Sequence, residues 1–239
     1  MNVLVWNEFY HEKKIEEVKS IYPNGIHGVI KGFLDKEAGL QVVTATMDEP
    51  ECGLTQERVD AADVIVWWAH ASHDDLPDKI VDRVIAAVLK GCGFIALHSA
   101  HMGKPFRKLM GTACNLRWRA DDRERIYTIA HHHPICRGIP DDFEIPNEEM
   151  YGEKFDIPTP TEIIFLGWFA GGELFRSGVT FERGYGKIFY FQPGHETYPI
   201  YKMPVIQNII TNAVFWAARA NTRARLDSPE PAVPPESGR

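Results

Sequence analysis

Cysteine is scarce and scattered in this chain: Cys52, Cys92, Cys114 and Cys136 are its four, and no two form a Cys-x-x-Cys pair. That spacing excludes the common cysteine zinc sites and dithiol redox motifs, so the thiols read as reduced and structural. Positive charge is also in deficit, with a formal net charge of -7, which argues against nucleic acid or an anionic membrane surface as a partner. No stretch reaches the roughly 20 apolar residues that a membrane span needs. The opening MNVLVWNEFYHEKK is too short and too acidic for a signal peptide. A cytoplasmic protein with a small partner, no nucleic acid and no membrane, is the expectation. No internal repeat and no HExxH motif is present.

What the chain does have is length for a core and an excess of clustered histidine. Its 239 residues, 44% hydrophobic and 25% charged, suit one α/β domain over residues 1–220. The remainder, 221–239, includes DSPEPAVPPESGR, which has too little apolar surface to offset the entropy of ordering and is expected to be a disordered tail. In the first half, apolar runs alternate with amphipathic stretches, as a parallel sheet with crossover helices requires. The strands read as NVLVW (2–6), QVVTATM (41–47), DVIVWW (63–68) and GFIALH (93–98). DKIVDRVIAAVLKG spaces Ile80, Val81, Val84, Ile85, Val88 and Leu89 as a helix, with Gly91 at its C-terminal cap. Residues 12–39 read as helix broken at YPNG (22–25). Beyond about residue 115 the texture turns alternating and aromatic, predicting further strands, with a tight turn at GYGK (184–187). A closing helix follows over 205–220.

In open α/β sheets ligands gather outside the carboxyl ends of the strands. Four apolar runs end there on titratable residues: Asn7 and Glu8 with His11 beyond, His70 with His73, His98 with Ser99 and His101, and His195 with Glu196. These residues are expected to line one pocket. A lone strand-end histidine is more often structural, but four converging sets weigh against that reading. His73 precedes DDLPD and could instead belong to a helix-start loop. HHH at 131–133 reads as solvated. NEEMYGE (147–153) is either an exposed acidic loop carrying Glu148, Glu149 and Glu153 or a pocket wall anchored by Met150 and Tyr151. Imidazoles and carboxylates suit zinc and other divalent metals, a catalytic site commonly keeping three protein ligands and an open position. The same groups can work without metal as general acid and base. His98 lies outside the packed run GFIAL, which predicts a role in activity and not in folding.

The segments VWNEFYHE, VIVWWAHASHDD, GFIALHSAHMGKPFRKLMGT, NEEMYGE and FYFQPGHETYP together resemble the ThuA-like trehalose-utilisation family over roughly residues 1–219. The resemblance implies the flavodoxin-like fold of class I glutamine amidotransferases, an open parallel sheet flanked by helices, with additional antiparallel strands in the second half. It implies that His98 stands at the elbow where those enzymes carry a catalytic cysteine, and that His195 and Glu196 match their later histidine and glutamate. Without that cysteine, hydrolysis of glutamine by a thiol is excluded. The family is associated with disaccharide use, alongside enzymes that oxidise the hydroxyl on carbon three of a sugar, so a keto-sugar or related glycoside is the implied substrate. A ketone there acidifies the proton on carbon two, and the enolate can expel the oxygen on carbon one.

On this reading the catalytic residues are Glu8, His98, His195 and Glu149, with Glu8 or His195 as base. Asn7, His73, Ser99, Tyr151 and Glu196 contact substrate. His70, His98 and His101 hold a divalent metal such as zinc or manganese where one is bound. No nucleotide cofactor is expected, and a homo-oligomer is compatible. Trp67, Trp68 and Trp118 either pack on sugar faces or sit in the core. The competing class is a non-catalytic sugar-binding or regulatory module, which would have little use for so many converging histidines and carboxylates.

Overall fold

The computed structural model describes residues 1–220 and residue 226. Apart from Leu226, the expected disordered tail lies outside the described residues. Nine strands form one sheet: β1 (Asn2–Asn7), β2 (Gln41–Thr46), β3 (Val64–Trp68), β4 (Gly93–Leu97), β5 (Arg117–Thr128), β6 (Asp142–Gly152), β7 (Glu162–Phe169), β8 (Leu174–Arg183) and β9 (Gly186–Phe191). Seven helices are interspersed: α1 (His11–Lys14), α2 (Glu16–Ile21), α3 (Gly25–Leu34), α4 (Gln56–Ala61), α5 (Asp78–Leu89), α6 (Lys104–Met110) and α7 (Pro204–Ala217).

The spatial order is β2-β1-β3-β4-β9-β8-β7-β5-β6. The first five strands of that order run parallel and the remaining pairings are antiparallel. Taken alone, the parallel half has the flavodoxin-like order 2-1-3-4-5. Every residue of β3 and β4 is buried, because helices cover both faces and a strand hidden on both sides has no polar register to keep. One apolar cluster joins Val3, Val5, Val64, Val66, Ile95 and Leu97 to α3 and α7. The alternate side chains Leu4, Trp6, Ile65, Trp67, Phe94 and Ala96 pack with α5 and α6 on the other face.

The helix expected over 78–91 is α5, which buries Ile80, Val81, Val84 and Val88 and ends at Leu89. Gly91 follows at φ 122, with its N–H bonded to the Val88 carbonyl at 2.9 Å. The break at YPNG separates α2 from α3, and Gly184 and Tyr185 turn β8 into β9. NEEMYGE is strand and not loop: through Gly152 it is the end of β6, and residues 148–152 are buried. Two of the three consecutive histidines are exposed, but His133 is buried against Trp216. No described helix is long and apolar enough to cross a membrane.

Candidate active site

The strand order reverses beside β1 and β3, and the carboxyl ends of β1, β3, β4 and β9 meet there. Three imidazoles arrive from different strands. His70 follows β3, His98 follows β4 and His195 follows β9, and their ring centroids form a near-equilateral triangle of 5.7, 5.1 and 5.4 Å. One ligand nitrogen from each lies within 4.8 Å of the others.

Each ring is fixed through its Nδ1. His70 Nδ1 is 2.6 Å from a Glu196 oxygen, His98 Nδ1 is 2.8 Å from the Gln192 carbonyl, and His195 Nδ1 is 2.8 Å from the Thr197 hydroxyl. A second, longer contact brings the Thr197 backbone N–H to His195 Nδ1 at 3.3 Å. The carboxylate and carbonyl on Nδ1 of His70 and His98 are the usual kind of outer group that orients metal-binding imidazoles, whereas His195 Nδ1 accepts the Thr197 N–H. The second Glu196 oxygen is 3.0 Å from His11 Nδ1, although that nitrogen is off the direction of a hydrogen bond. Glu196 therefore sits between His11 and His70, and those three residues also meet the spacing of a metal group.

His98 departs most from its sequence reading. It has φ 52, a left-handed conformation that only a few per cent of non-glycine residues adopt, and it is fully buried. Its Nε2 is 3.1 Å from Glu149 Oε2 and 3.3 Å from the Tyr151 hydroxyl, and the Tyr151 ring stacks on it. It is thus part of the packing as well as of the polar cluster. Burial opposes its charge, but the bond to Glu149 and the charges of Glu148 and Glu149 win, raising it to about 9.

Burial would likewise raise Glu149, yet its bond to His98 holds it below the usual range. Glu148 is driven by burial to about 7, against His98 and the N–H groups of Glu149, Gly194 and His195 that it accepts. Gly194 permits this turn, since its φ is 145 and a Cβ would meet the Tyr201 hydroxyl at 1.9 Å. Burial brings His195 to about 4, with the charge of His98 adding to it, so its ring is neutral at pH 7. Glu196 is held far below the usual carboxylate range, burial notwithstanding, by His11 and His70.

A cleft of about 360 Å³ opens above this cluster. His70, His73, Ser99, His101, Glu149 and Tyr151 line it, with Met102, Asn115, Leu116 and Trp118 along the rim. A larger cavity of about 620 Å³ lies beside the edge strand β2, lined by residues such as Val3, Val43 and Ala61. It has no clustered histidines, and the smaller cleft is the chemical one.

The remaining expectations divide. Asn7 is fully buried, donates to Glu12 at 2.6 Å and accepts from the Phe9 N–H, so it braces the turn after β1 and faces no cleft. Both Glu8 oxygens accept backbone N–H groups, from Ala71 and Ser72, each at 2.8 Å, which commits that carboxylate to holding the loop after β3. His101 is not brought into either metal group among the described residues. Its Nδ1 binds the Cys114 carbonyl at 2.8 Å and its ring faces Tyr151, Phe155 and Tyr190. Burial lowers it to about 3. His73 is lowered by burial to about 4, and its Nδ1 has no partner. Ser99 donates to the Ala69 carbonyl at 2.8 Å.

Sequence reasoning passed over Gln192 and Thr197, whose roles rest on a backbone carbonyl and a hydroxyl that no motif advertises. Glu148 stands in the sequence as one of three carboxylates in NEEMYGE, with no role assigned to it. None of the four cysteines lines the cleft.

Fold and site together define a doubly wound α/β protein with a histidine and carboxylate centre at the carboxyl edge of its sheet, where His98 occupies the turn after β4 in a left-handed conformation. The chain belongs to the ThuA, or trehalose utilisation, family, whose model matches residues 2–217. In structure it is similar to a protein described as ThuA-like from Parabacteroides merdae, with TM-score 0.67 and 14% identity over 94% of this chain and 92% of that one. A Bacteroides uniformis protein described in the same terms matches with TM-score 0.65 and 13% identity over 93% and 94%. A cytoplasmic protein of Salmonella typhimurium matches with TM-score 0.60 and 14% identity over 92% and 100%. At such identities the likeness is one of fold. No curated protein is detectably similar to the chain.

Proposed function

We propose that this protein is an enzyme of carbohydrate metabolism acting on a keto-sugar or related glycoside derived from a disaccharide, with a divalent metal such as zinc or manganese held by His70, His98 and His195. The observation that carries the reading is the convergence of three imidazoles, each tied at Nδ1, beneath a cleft that an ionised glutamate lines. Three imidazole nitrogens with room for a fourth ligand would make the donor set of a catalytic zinc site, and metal entry would release the proton that Glu149 holds on His98.

Such a metal would supply Lewis acidity for a carbonyl oxygen. Glu149, ionised and lining the cleft, is the base in place of Glu8, whose oxygens are occupied. It takes the proton from carbon two, and the electron pair of that C–H bond moves toward the ketone on carbon three to give the enolate. As the ketone re-forms, a double bond joins carbons one and two and the glycosidic oxygen leaves carbon one. The departing oxygen takes a proton from water, and Glu149 returns its own to solvent. Tyr151, His73 and Ser99, which share the cleft, position hydroxyls. His195 stays neutral, as a ligand requires.

The test is elemental analysis of the purified protein, followed by NMR in D2O with 3-keto-trehalose and added zinc or manganese. About one metal per chain and deuterium exchange at carbon two are expected, with metal lost in His195→Ala and exchange lost in Glu149→Gln. A protein that takes up no metal and exchanges no proton would be a binding module and not an enzyme of this kind.

A further inference from the structure

Three indoles were candidates for meeting a sugar, and the structure separates them. Trp67 and Trp68 are 2% and 1% exposed. The first stacks on Trp6 at 3.8 Å between ring centroids, and the second donates from Nε1 to the Gly194 carbonyl at 3.1 Å. Trp118 is 67% exposed and lies on the rim of the cleft.

Its position follows from strand register. Trp118 is directly opposite Tyr151 in the β5–β6 ladder, and residues directly opposite in an antiparallel pair project to the same face with Cβ atoms roughly 4.5–5.5 Å apart. Tyr151 is the residue whose ring stacks on His98, at 5.0 Å and 17°. From the buried His98 beneath it, the stack reads outward through Tyr151 to Trp118, and the last two line the cleft. Its inner end is ionic, with His70 and Glu149. Its outer end is apolar, with Met102 and Leu116 beside the indole.

We infer that Trp118 is the platform for the second, outer ring of a disaccharide substrate, and that it makes the site prefer a disaccharide over a monosaccharide. The inference rests on the carbohydrate reading above and adds a residue that sets its specificity. A sugar ring presents one face of C–H groups that an indole can cover, while its hydroxyls stay in water at the edge. An aromatic with an apolar body and a polar edge suits that role. A ring held over the histidine centre lies one cross-strand step short of Trp118, so a second ring joined to it extends over the indole. A cleft of 360 Å³ falls within the roughly 300–1,000 Å³ typical for small ligands, which is room for a sugar of this size. Trp118 is the most exposed large hydrophobic side chain among the described residues, and its neighbours Arg117 and Arg119 are also outside the core.

The experiment is calorimetric titration of the full chain with trehalose and, separately, with methyl α-glucoside. For the wild type, trehalose is expected to bind more tightly, with a blue shift of the tryptophan emission as the exposed indole is covered. In Trp118→Ala the Kd for trehalose should rise about tenfold, the size of one aromatic contact. The monosaccharide should lose much less, so the preference collapses, and Trp118→Phe should restore most of it. If Trp118→Ala binds trehalose as tightly as the wild type, or weakens both sugars equally, the platform is refuted while the carbohydrate reading stands. If the wild type binds neither sugar, the platform is refuted, since stacking on an indole needs no ketone, and the carbohydrate reading is decided by exchange with 3-keto-trehalose.

Discussion

Glu196→Gln removes one charge and no volume from the group that aims His70, which makes it a direct probe of the imidazole centre. In the native protein one carboxylate oxygen is 2.6 Å from His70 Nδ1 and the other 3.0 Å from His11 Nδ1. A hydrogen bond to a charged group contributes about 1.5–3 kcal/mol and a neutral one about 0.5–1.5 kcal/mol. The amide also has only one oxygen, so it cannot face both histidines as an acceptor. The substitution should weaken the hold on His70 by about 1–1.5 kcal/mol, which is roughly tenfold in affinity for a metal bound through that ring. This is the lower end of the 10–100-fold range of outer-group substitutions at metal centres. Competition with a chromophoric chelator measures the zinc affinity of each protein directly, and near-UV circular dichroism checks that packing is retained. Equal zinc affinity in the two proteins, with packing intact, would show that Glu196 does not orient a metal ligand and would refute the assignment.

Three further outcomes follow from the geometry. His98→Ala should destabilise the fold by about 3–5 kcal/mol in urea titration, because it leaves Glu148 and Glu149 buried beside an absent partner; stability within about 0.5 kcal/mol of the parent would show that the ring is only catalytic. Glu124 is fully buried, with one oxygen bonded to the Ser177 hydroxyl at 2.6 Å and the other without a partner, and burial raises it well above the ordinary 4.5. The folded state therefore holds this proton where the unfolded chain has lost it, and the contribution to stability declines as pH rises above about 4.5 by up to about 1.4 kcal/mol per pH unit. Glu124→Gln should remove that decline, and parallel stability curves for the two proteins from pH 5 to 8 would contradict it. Burial raises all four thiols, Cys92 to about 12 and Cys136 to about 11, so iodoacetamide at pH 7 should modify the native protein slowly and leave turnover intact; rapid loss of activity on alkylation would revive a cysteine mechanism.

The parallel half was legible because its strands announce themselves. VIVWW and GFIAL are unbroken apolar runs, which only a doubly covered sheet requires, and both bear polar groups at their carboxyl ends. That rule alone brought His70, His98 and His195 to one edge. It did not say which way each side chain turns. Asn7 and Glu8 occupy the right edge but are consumed by local backbone and side-chain bonds, and His101 turns toward Cys114 because the 3-10 turn from residue 98 to 102 carries it round. β6 was harder to read, since NEEMYG is rich in carboxylates and looks solvated. It is a strand there because its acids are individually satisfied, Glu148 by three N–H groups and Glu149 by His98. Apart from the adjacent Glu149 N–H, such compensation comes from residues some fifty positions away, and no local pattern encodes it.

The placement of β9 has a consequence for how the molecule can be made. This strand is the last in chain order among the described residues, yet it lies in the middle of the sheet, parallel to β4 on one side and antiparallel to β8 on the other. Until residues 186–191 leave the ribosome, the parallel and antiparallel halves have no strand joining them, and each presents an open edge to its neighbours in the cell. His195 arrives four residues after that strand, followed by Glu196, so the imidazole triangle closes only after the two half-sheets can join. A nascent chain or proteolytic fragment lacking β9 would thus be both incomplete at its chemical centre and exposed to edge-to-edge aggregation, and α7, which follows β9 in the chain and packs against β9 and β4, covers the join.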